Sequence, residues 1–294
     1  MKKVFIVLFL SMTLFCSFHK EILPVGKNFC KTKYPVVLVH GLGFRDDLAI
    51  IKYWGKIVQH LSINGAVVML SRQQAFASHE ENAKLIRSSI LKIIENNPGY
   101  EKVNIIAHSK GGIESRYMIG LPGMEGKVAS LTTIATPHRG SMIADMVMNK
   151  IPSDSNAVIL LVNSLAKLIG DPLPDAYNAG YELTSEYMEK FNSMIKDRKG
   201  VYYQSYSGII DRDFPHPIWK KLWKTLWELD GPNDGLVSVN SARWGEFRGT
   251  VTQNGKNIVS HADIIGMHHL TGVYDFNEEN FFADVLHDLK NRGF

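Results

Sequence analysis

One serine in this chain has neighbours of the size and type that nucleophilic chemistry requires: Ala107-His108-Ser109-Lys110-Gly111-Gly112. It stands where an apolar β-branched run, Val103 to Ala107, gives way to helical spacing beginning near Gly111. A serine held on so tight a strand-to-helix turn needs small residues two positions away on either side, and Ala107 and Gly111 meet that demand. A hydroxyl alone is a weak nucleophile. A histidine must take its proton, and a carboxylate must hold that histidine in the right tautomer.

In the strand-turn-helix hydrolases such partners follow the serine in the order acid, then histidine. Asn233-Asp234-Gly235-Leu236-Val237 and Ser260-His261-Ala262-Asp263 supply them, with Asp234 as acid and His261 as base. Asp211, Asp213 and Asp230 compete for the first role, and His268 and His269 for the second. Acyl transfer also needs donors aimed at the oxygen that becomes charged. His40-Gly41-Leu42-Gly43 closes the run Pro35 to Val39, and its glycines let backbone amides approach without obstruction. By position the oxyanion donors are the N–H groups of Leu42 and of Lys110, while His40 orders the loop. The reaction implied is carboxylic ester hydrolysis through an acyl-enzyme. An acyltransferase using the same triad and a non-catalytic lipid-binding module on the same scaffold are the competing readings.

These groups are scattered over some hundred and fifty positions, so a scaffold must gather them. Val36 to His40, Val67 to Leu70, Val103 to Ala107 and Val128 to Ala135 have the β-branched character of buried parallel strands. Residues 79 to 95 put Ala83, Ile86, Ile90 and Ile93-Ile94 on one helical face, and Pro98-Gly99 ends that helix. Strand alternating with helix predicts a mostly parallel, doubly wound sheet, here of the α/β-hydrolase fold. Val201 to Tyr206 and Gly235 to Val239 read as further strands, and a last helix is expected from about Glu278 to Leu289. The stretch from about 141 to 195, broken by Pro152, Pro172 and Pro174, reads as an inserted helical cap or lid in a single catalytic domain spanning 30–294.

The 294 residues are 45% apolar and 21% charged, a balance that excludes a disordered or multi-span membrane chain. The net charge of +4 includes Lys2 and Lys3 and is too small to imply nucleic acid binding. Residues 1–19 have a basic start followed by the apolar runs Val4 to Leu10 and Met12 to Phe15, which reads as an export signal or anchor. The protein is therefore expected outside the cytoplasm, secreted or periplasmic, with a membrane-anchored form or lipidation at Cys16 as alternatives. Loss of that segment leaves Cys30 as the one thiol, expected unpaired in a poorly ordered N-terminal stretch.

These segments together resemble the bacterial secreted triacylglycerol lipases, both the foldase-dependent group and its foldase-independent relatives. Tyr34 to Gly43 resembles their oxyanion strand and loop, Ala107 to Gly112 their nucleophile elbow, Asn233 to Val239 with Ser241 to Gly245 their acid loop, and His261 to Asp263 their histidine loop. Ala135 to Ser141 and Leu183 to Asn192 are weaker echoes. The resemblance implies a lipid or ester substrate, no cofactor in the chemistry, and a structural calcium held by Asp263 and by Asp213 or its neighbour Asp211. Met267 stands where that family offers a glutamine or a carbonyl, and its disulfide is missing. The resemblance also places a lid after Thr136-Pro137, where Ser155 to Gly170 carries an apolar stripe that a core helix would equally need. Trp219, Trp223 and Trp227, at four-residue spacing with Lys220, Lys221 and Lys224 around them, suit either core packing or transient contact with a lipid interface. Packing is the favoured reading.

Overall fold

Three valine- and isoleucine-rich strands, β1 (Val36–Val39), β3 (Val103–His108) and β4 (Val128–Ile134), are buried at every residue. Strands hidden on both faces need helices above and below the sheet. The computed structural model describes residues 25–42, 53–74, 77–148, 180–211, 216–273 and 275–294, and has that arrangement. In chain order its other elements are α1 (Ile57–Ile63), β2 (Val68–Leu70), α2 (His79–Asn96), α3 (Lys110–Gly120), α4 (Met142–Val147), α5 (Ser185–Met194), β5 (Tyr202–Ser207), β6 (Ile209–Ile210), α6 (Pro217–Asp230), α7 (Val239–Ala242), β7 (Glu246–Thr250), β8 (Ile258–Val259) and α8 (Glu278–Asn291). The main sheet has the order β2-β1-β3-β4-β5-β7, all parallel, and β6 pairs with β8 in a separate antiparallel ribbon.

Alternation along each strand divides the core in two. Val36, Leu38 and Ile106 pack with Ile57 and Leu61 of α1 and Phe282 and Leu286 of α8. Val37, Val39, Ile105 and Ala107 pack on the other face with Ala83, Ile86 and Ile90 of α2 and Met118 of α3. Each such valine, leucine, isoleucine, methionine or phenylalanine side chain contributes on the order of 1.5–3 kcal/mol by leaving water. The fold is thus the expected α/β-hydrolase sheet, covered on both faces. A capping box starts α2: Ser78 accepts the Glu81 amide while the Glu81 carboxylate accepts the Ser78 amide.

Strand register decides where the chemistry sits. Val39 pairs with Ala107, His108 with Ile134, and Ile134 with Tyr206, so the carboxyl ends of β1, β3, β4 and β5 lie along one edge. Ligand sites in open α/β sheets form at that edge.

Two local expectations are corrected, and one strand carries no apolar signal. Gly235 to Val239 is no strand: Asp234 Oδ1 accepts the amides of Leu236 and Val237, and Ser238 then caps α7 through the Ser241 amide. Those amides are not available to a sheet ladder. Strand β7, which no apolar alternation announces, lies at the sheet edge with Glu246 exposed and Arg248 ion-paired to it. Cys30 is wholly buried within the core that includes Phe282 and Leu286, and its thiol reaches the Ala283 carbonyl at 3.8 Å. Burial first, and Asp284 second, push that thiol up to about 11.

The tryptophan stripe divides along its length. Trp219 is buried, and its indole N–H donates to the Leu270 carbonyl at 3.0 Å. Trp223 donates to Ile210 at 2.7 Å, whereas Trp227 is 41% exposed. Of the stretch 141–195, α4 and α5 are described, and the apolar segment Ser155 to Gly170 lies outside the described residues.

Candidate active site

Ser109 occupies the single position between β3 and α3, with φ 57° and ψ −133°. A positive φ at a residue bearing a Cβ costs on the order of 1–3 kcal/mol and persists only when neighbours enforce it. Here the Ser109 amide donates to Ile134 at 3.0 Å, and its carbonyl accepts from Thr136 Oγ1 at 2.8 Å and the Gly112 amide at 3.0 Å. A side chain at Gly111 would run into the carbonyls of His40 and Val39, and one at Gly112 into Thr136. The glycine expected at position 111 is therefore required by the close approach of β1, and Gly112 by the segment after β4.

Three chain segments meet at the hydroxyl of Ser109. His261 Nε2 stands 3.0 Å from Ser109 Oγ, and His261 Nδ1 stands 2.8 Å from Asp234 Oδ2. Asp234 is fully buried and His261 nearly so. The carboxylate is oriented through its other oxygen, which accepts the Leu236 and Val237 amides, and the Asp234 carbonyl accepts the His261 amide at 2.9 Å. With Nδ1–H assigned as donor to Asp234, the lone pair on Nε2 faces the serine. All three residues expected as nucleophile, acid and base are thus brought together.

Of their rivals, His268, His269 and Asp211 are placed elsewhere, while Asp213 lies outside the described residues. His268 bonds Asp263 Oδ1 at 3.3 Å and Glu278 Oε2 at 2.9 Å, His269 is exposed, and Asp211 accepts from Asn257 at the surface. Burial opposes charge on His268, yet hydrogen bonds to Asp263 and Glu278 outweigh it and push the ring up to about 9.

On the opposite side of Ser109 runs the loop after β1. A Cβ on Gly41 would stand 2.8 Å from the Ser109 Cβ, so this backbone lies directly against Ser109. Leu42 follows immediately. Lys110 opens α3, and the amides of a first helical turn have no acceptor within the helix. His40 Nδ1 lies 2.8 Å from the Gly41 carbonyl and its own carbonyl accepts from Gln73, in keeping with an ordering role.

Several residues in this site carry no signal in the sequence. Tyr53 Oη accepts the Gly41 amide at 2.8 Å and lies 2.6 Å from His108 Nδ1. Burial first, and His261 second, hold the His108 ring well below the usual imidazole range, so it is neutral. The Lys110 side chain is as hidden as any apolar residue: its ammonium pairs with Glu114, which also accepts from Asn82 and Gln73.

The expected calcium is not favoured by the donors seen. Both Asp263 oxygens are engaged, Oδ2 by the amide and hydroxyl of Ser260 and Oδ1 by Thr271 and His268. A carboxylate offers about four lone-pair positions, so little remains for a metal, and the neighbouring cation is a charged histidine. Asp213 lies outside the described residues, and among the described residues no cluster of three metal-binding side chains occurs.

The family described as a PGAP1-like alpha/beta domain matches residues 62–160, which include the Ser109 turn. Triacylglycerol lipase 2 of Saccharomyces cerevisiae is 30% identical over 270 residues, covering 84% of this chain and 76% of that protein. This chain belongs to the triacylglycerol lipase family. By family it is a lipase-like ester hydrolase, and the triacylglycerol lipase of Vibrio cholerae is a second relative, 32% identical over 244 residues, 75% of this chain and 77% of its own. Yeast and bacterial lipases both match, and that similarity singles out the lipase family as a whole rather than the foldase-dependent group. A metagenomic carboxyl esterase superposes with a TM-score of 0.69 over 93% of this chain and 80% of its own, at 17% identity, a likeness of fold. No described helix of this lipase-family chain is long and apolar enough to cross a membrane.

Proposed function

We propose that this chain is a triacylglycerol lipase or lipase-like esterase that cleaves carboxylic esters through an acyl-enzyme on Ser109. The observation that carries the reading is the placement of His261 within hydrogen-bond distance of Ser109 on one ring nitrogen and of Asp234 on the other. His261 Nε2 takes the hydroxyl proton as Ser109 Oγ bonds to the acyl carbon, and Asp234 stabilises the resulting imidazolium. The carbonyl π electrons move to oxygen, where the amides of Leu42 and Lys110 receive the negative charge. As the carbonyl re-forms, the ester C–O bond breaks and the alkoxide leaves with the proton from His261. Water, deprotonated by the same nitrogen, then attacks the acyl carbon, and the acyl C–Oγ bond breaks as His261 returns that proton to Ser109 Oγ, releasing the acid. Every step uses side chains and amides of the chain itself.

The substrate class proposed is an ester with an apolar acyl group, met at a lipid surface after export. Trp227, Lys221 and Lys224 are exposed on α6 and supply the amphipathic character that such contact uses. Assay of p-nitrophenyl butyrate with the purified chain, together with mass spectrometry after a fluorophosphonate, tests the chemistry. Turnover with one phosphonyl adduct, both lost in Ser109→Ala, is expected. An adduct undiminished in that variant sinks the assignment. Transfer of the acyl group to an added alcohol in preference to water would make it an acyltransferase. A rate on tributyrin that saturates below the substrate's solubility would make it an esterase for soluble esters.

A further inference from the structure

A single phenolic oxygen joins the two chain segments that flank the nucleophile. Tyr53 is buried; its Oη accepts the Gly41 N–H at 2.8 Å and stands 2.6 Å from Nδ1 of the neutral His108. With the ring hydrogen of His108 assigned to Nε2, Nδ1 is the acceptor and the phenol donates to it while accepting the Gly41 amide. The Gly41 N–H belongs to the same peptide unit as the His40 carbonyl, and that carbonyl accepts from Gln73 Nε2 at 3.2 Å. One peptide plane is therefore gripped at both its donor and its acceptor. Only the two backbone torsions of Gly41 separate that gripped unit from the next amide, that of Leu42, and Gly41 is itself packed against Ser109, so the grip limits where that amide can point. The other end of the phenol's bridge is His108, whose next two residues are Ser109 and Lys110.

We propose that Tyr53 is a positioning residue for acyl transfer: its hydroxyl ties the loop after β1 to the end of β3 so that the Leu42 and Lys110 amides stay aimed at one oxygen. The inference rests on the serine acyl-enzyme reading above. Oxyanion donors act through preorganisation, and displacement of a donor by an ångström or less weakens the transition state while leaving substrate binding much as it was. Packing does not require the hydroxyl. The ring of Tyr53 meets those of Trp54, His40 and His108 whether or not it carries oxygen.

Tyr53→Phe in the full chain is the direct test, with p-nitrophenyl butyrate as substrate. We expect kcat to fall about 10- to 100-fold with KM changed by less than about twofold, and fluorophosphonate labelling of Ser109 to slow in parallel. Wild-type kcat in a folded Tyr53→Phe protein overturns the inference. If that variant does not fold, His108→Asn and His108→Leu decide it. Asparagine keeps an acceptor oxygen near the place of Nδ1 and should stay within about fivefold of wild type, whereas leucine should fall as far as Tyr53→Phe. Equal losses in the two overturn the inference by reducing His108 to packing. A wild-type chain that hydrolyses the ester without labelling at Ser109 sinks the serine mechanism and this inference together. A labelled wild type beside an indifferent Tyr53→Phe sinks only the latter.

Discussion

Gly41 lies against Ser109 so closely that a methyl group on the glycine would stand 2.8 Å from the serine Cβ and 2.7 Å from the Tyr53 hydroxyl. Carbon atoms do not approach to that distance without displacing one another. The absence of a side chain at position 41 is thus a condition for Ser109 and the loop after β1 to share one edge of the sheet.

Gly41→Ala is accordingly expected to cost on the order of 1–3 kcal/mol of stability through overpacking. Its ester hydrolysis should fall far more, about a hundredfold or beyond, because the loop relieves the clash by moving its donors. Urea unfolding and steady-state kinetics on the same preparation check both. Wild-type kcat in this variant would show that the loop has room to shift and takes no part in the reaction.

Asp234→Asn keeps an oxygen for the amides of Leu236 and Val237 but turns an N–H donor toward His261 Nδ1. The imidazole is then held in the wrong tautomer. On the proposed mechanism kcat falls roughly a thousand- to ten-thousandfold, with KM and folding little changed. A drop of less than about tenfold would mean that another carboxylate serves His261.

The buried pair of Lys110 and Glu114 gives a stability prediction. Removing one member leaves the other charged and out of water, so Lys110→Met should destabilise by about 3–5 kcal/mol. Adding Glu114→Gln to that variant should recover a large part of the loss, since no isolated charge remains. Simple addition of the two single losses in denaturant titrations would rule out a shared origin.

His268 sets a pH dependence for the histidine loop. Its folded pKa of about 9 lies above the ordinary value near 6.5, so the charged ring stabilises the folded chain. The contribution is complete below about pH 6.5 and is lost as pH rises through 9. Melting temperature should decline over that window, and His268→Gln should flatten the decline. Because that cation sits beside Asp263, melting near neutral pH should be the same in calcium and in chelator. A marked rise with calcium would instead return Asp263 to the role of metal ligand.

Much of this molecule could be read from order and pattern alone. Buried parallel strands announce themselves as runs of Val and Ile, so β1, β3 and β4 were legible to within a residue or so. The Ser109 turn was legible because a sterically tight bend restricts residue size, which leaves a mark in composition at Ala107 and Gly111. Strand β7 left none, since an edge strand with exposed Glu246 and ion-paired Arg248 has no face to hide. Gly235 to Val239 misled because its apolar residues follow an aspartate whose carboxylate takes the amides a strand would have used.

The amino-acid sequence determined the kind of fold, a candidate nucleophile and a short list of candidate partners, because those follow from residue size, periodicity and chain order. Choosing His261 over His268 and joining Tyr53 to His108 and Gly41 were decided only in three dimensions. A hydrogen bond depends on ångströms between atoms that stand 12 to 152 positions apart along the chain, and no local pattern of residue types records that distance.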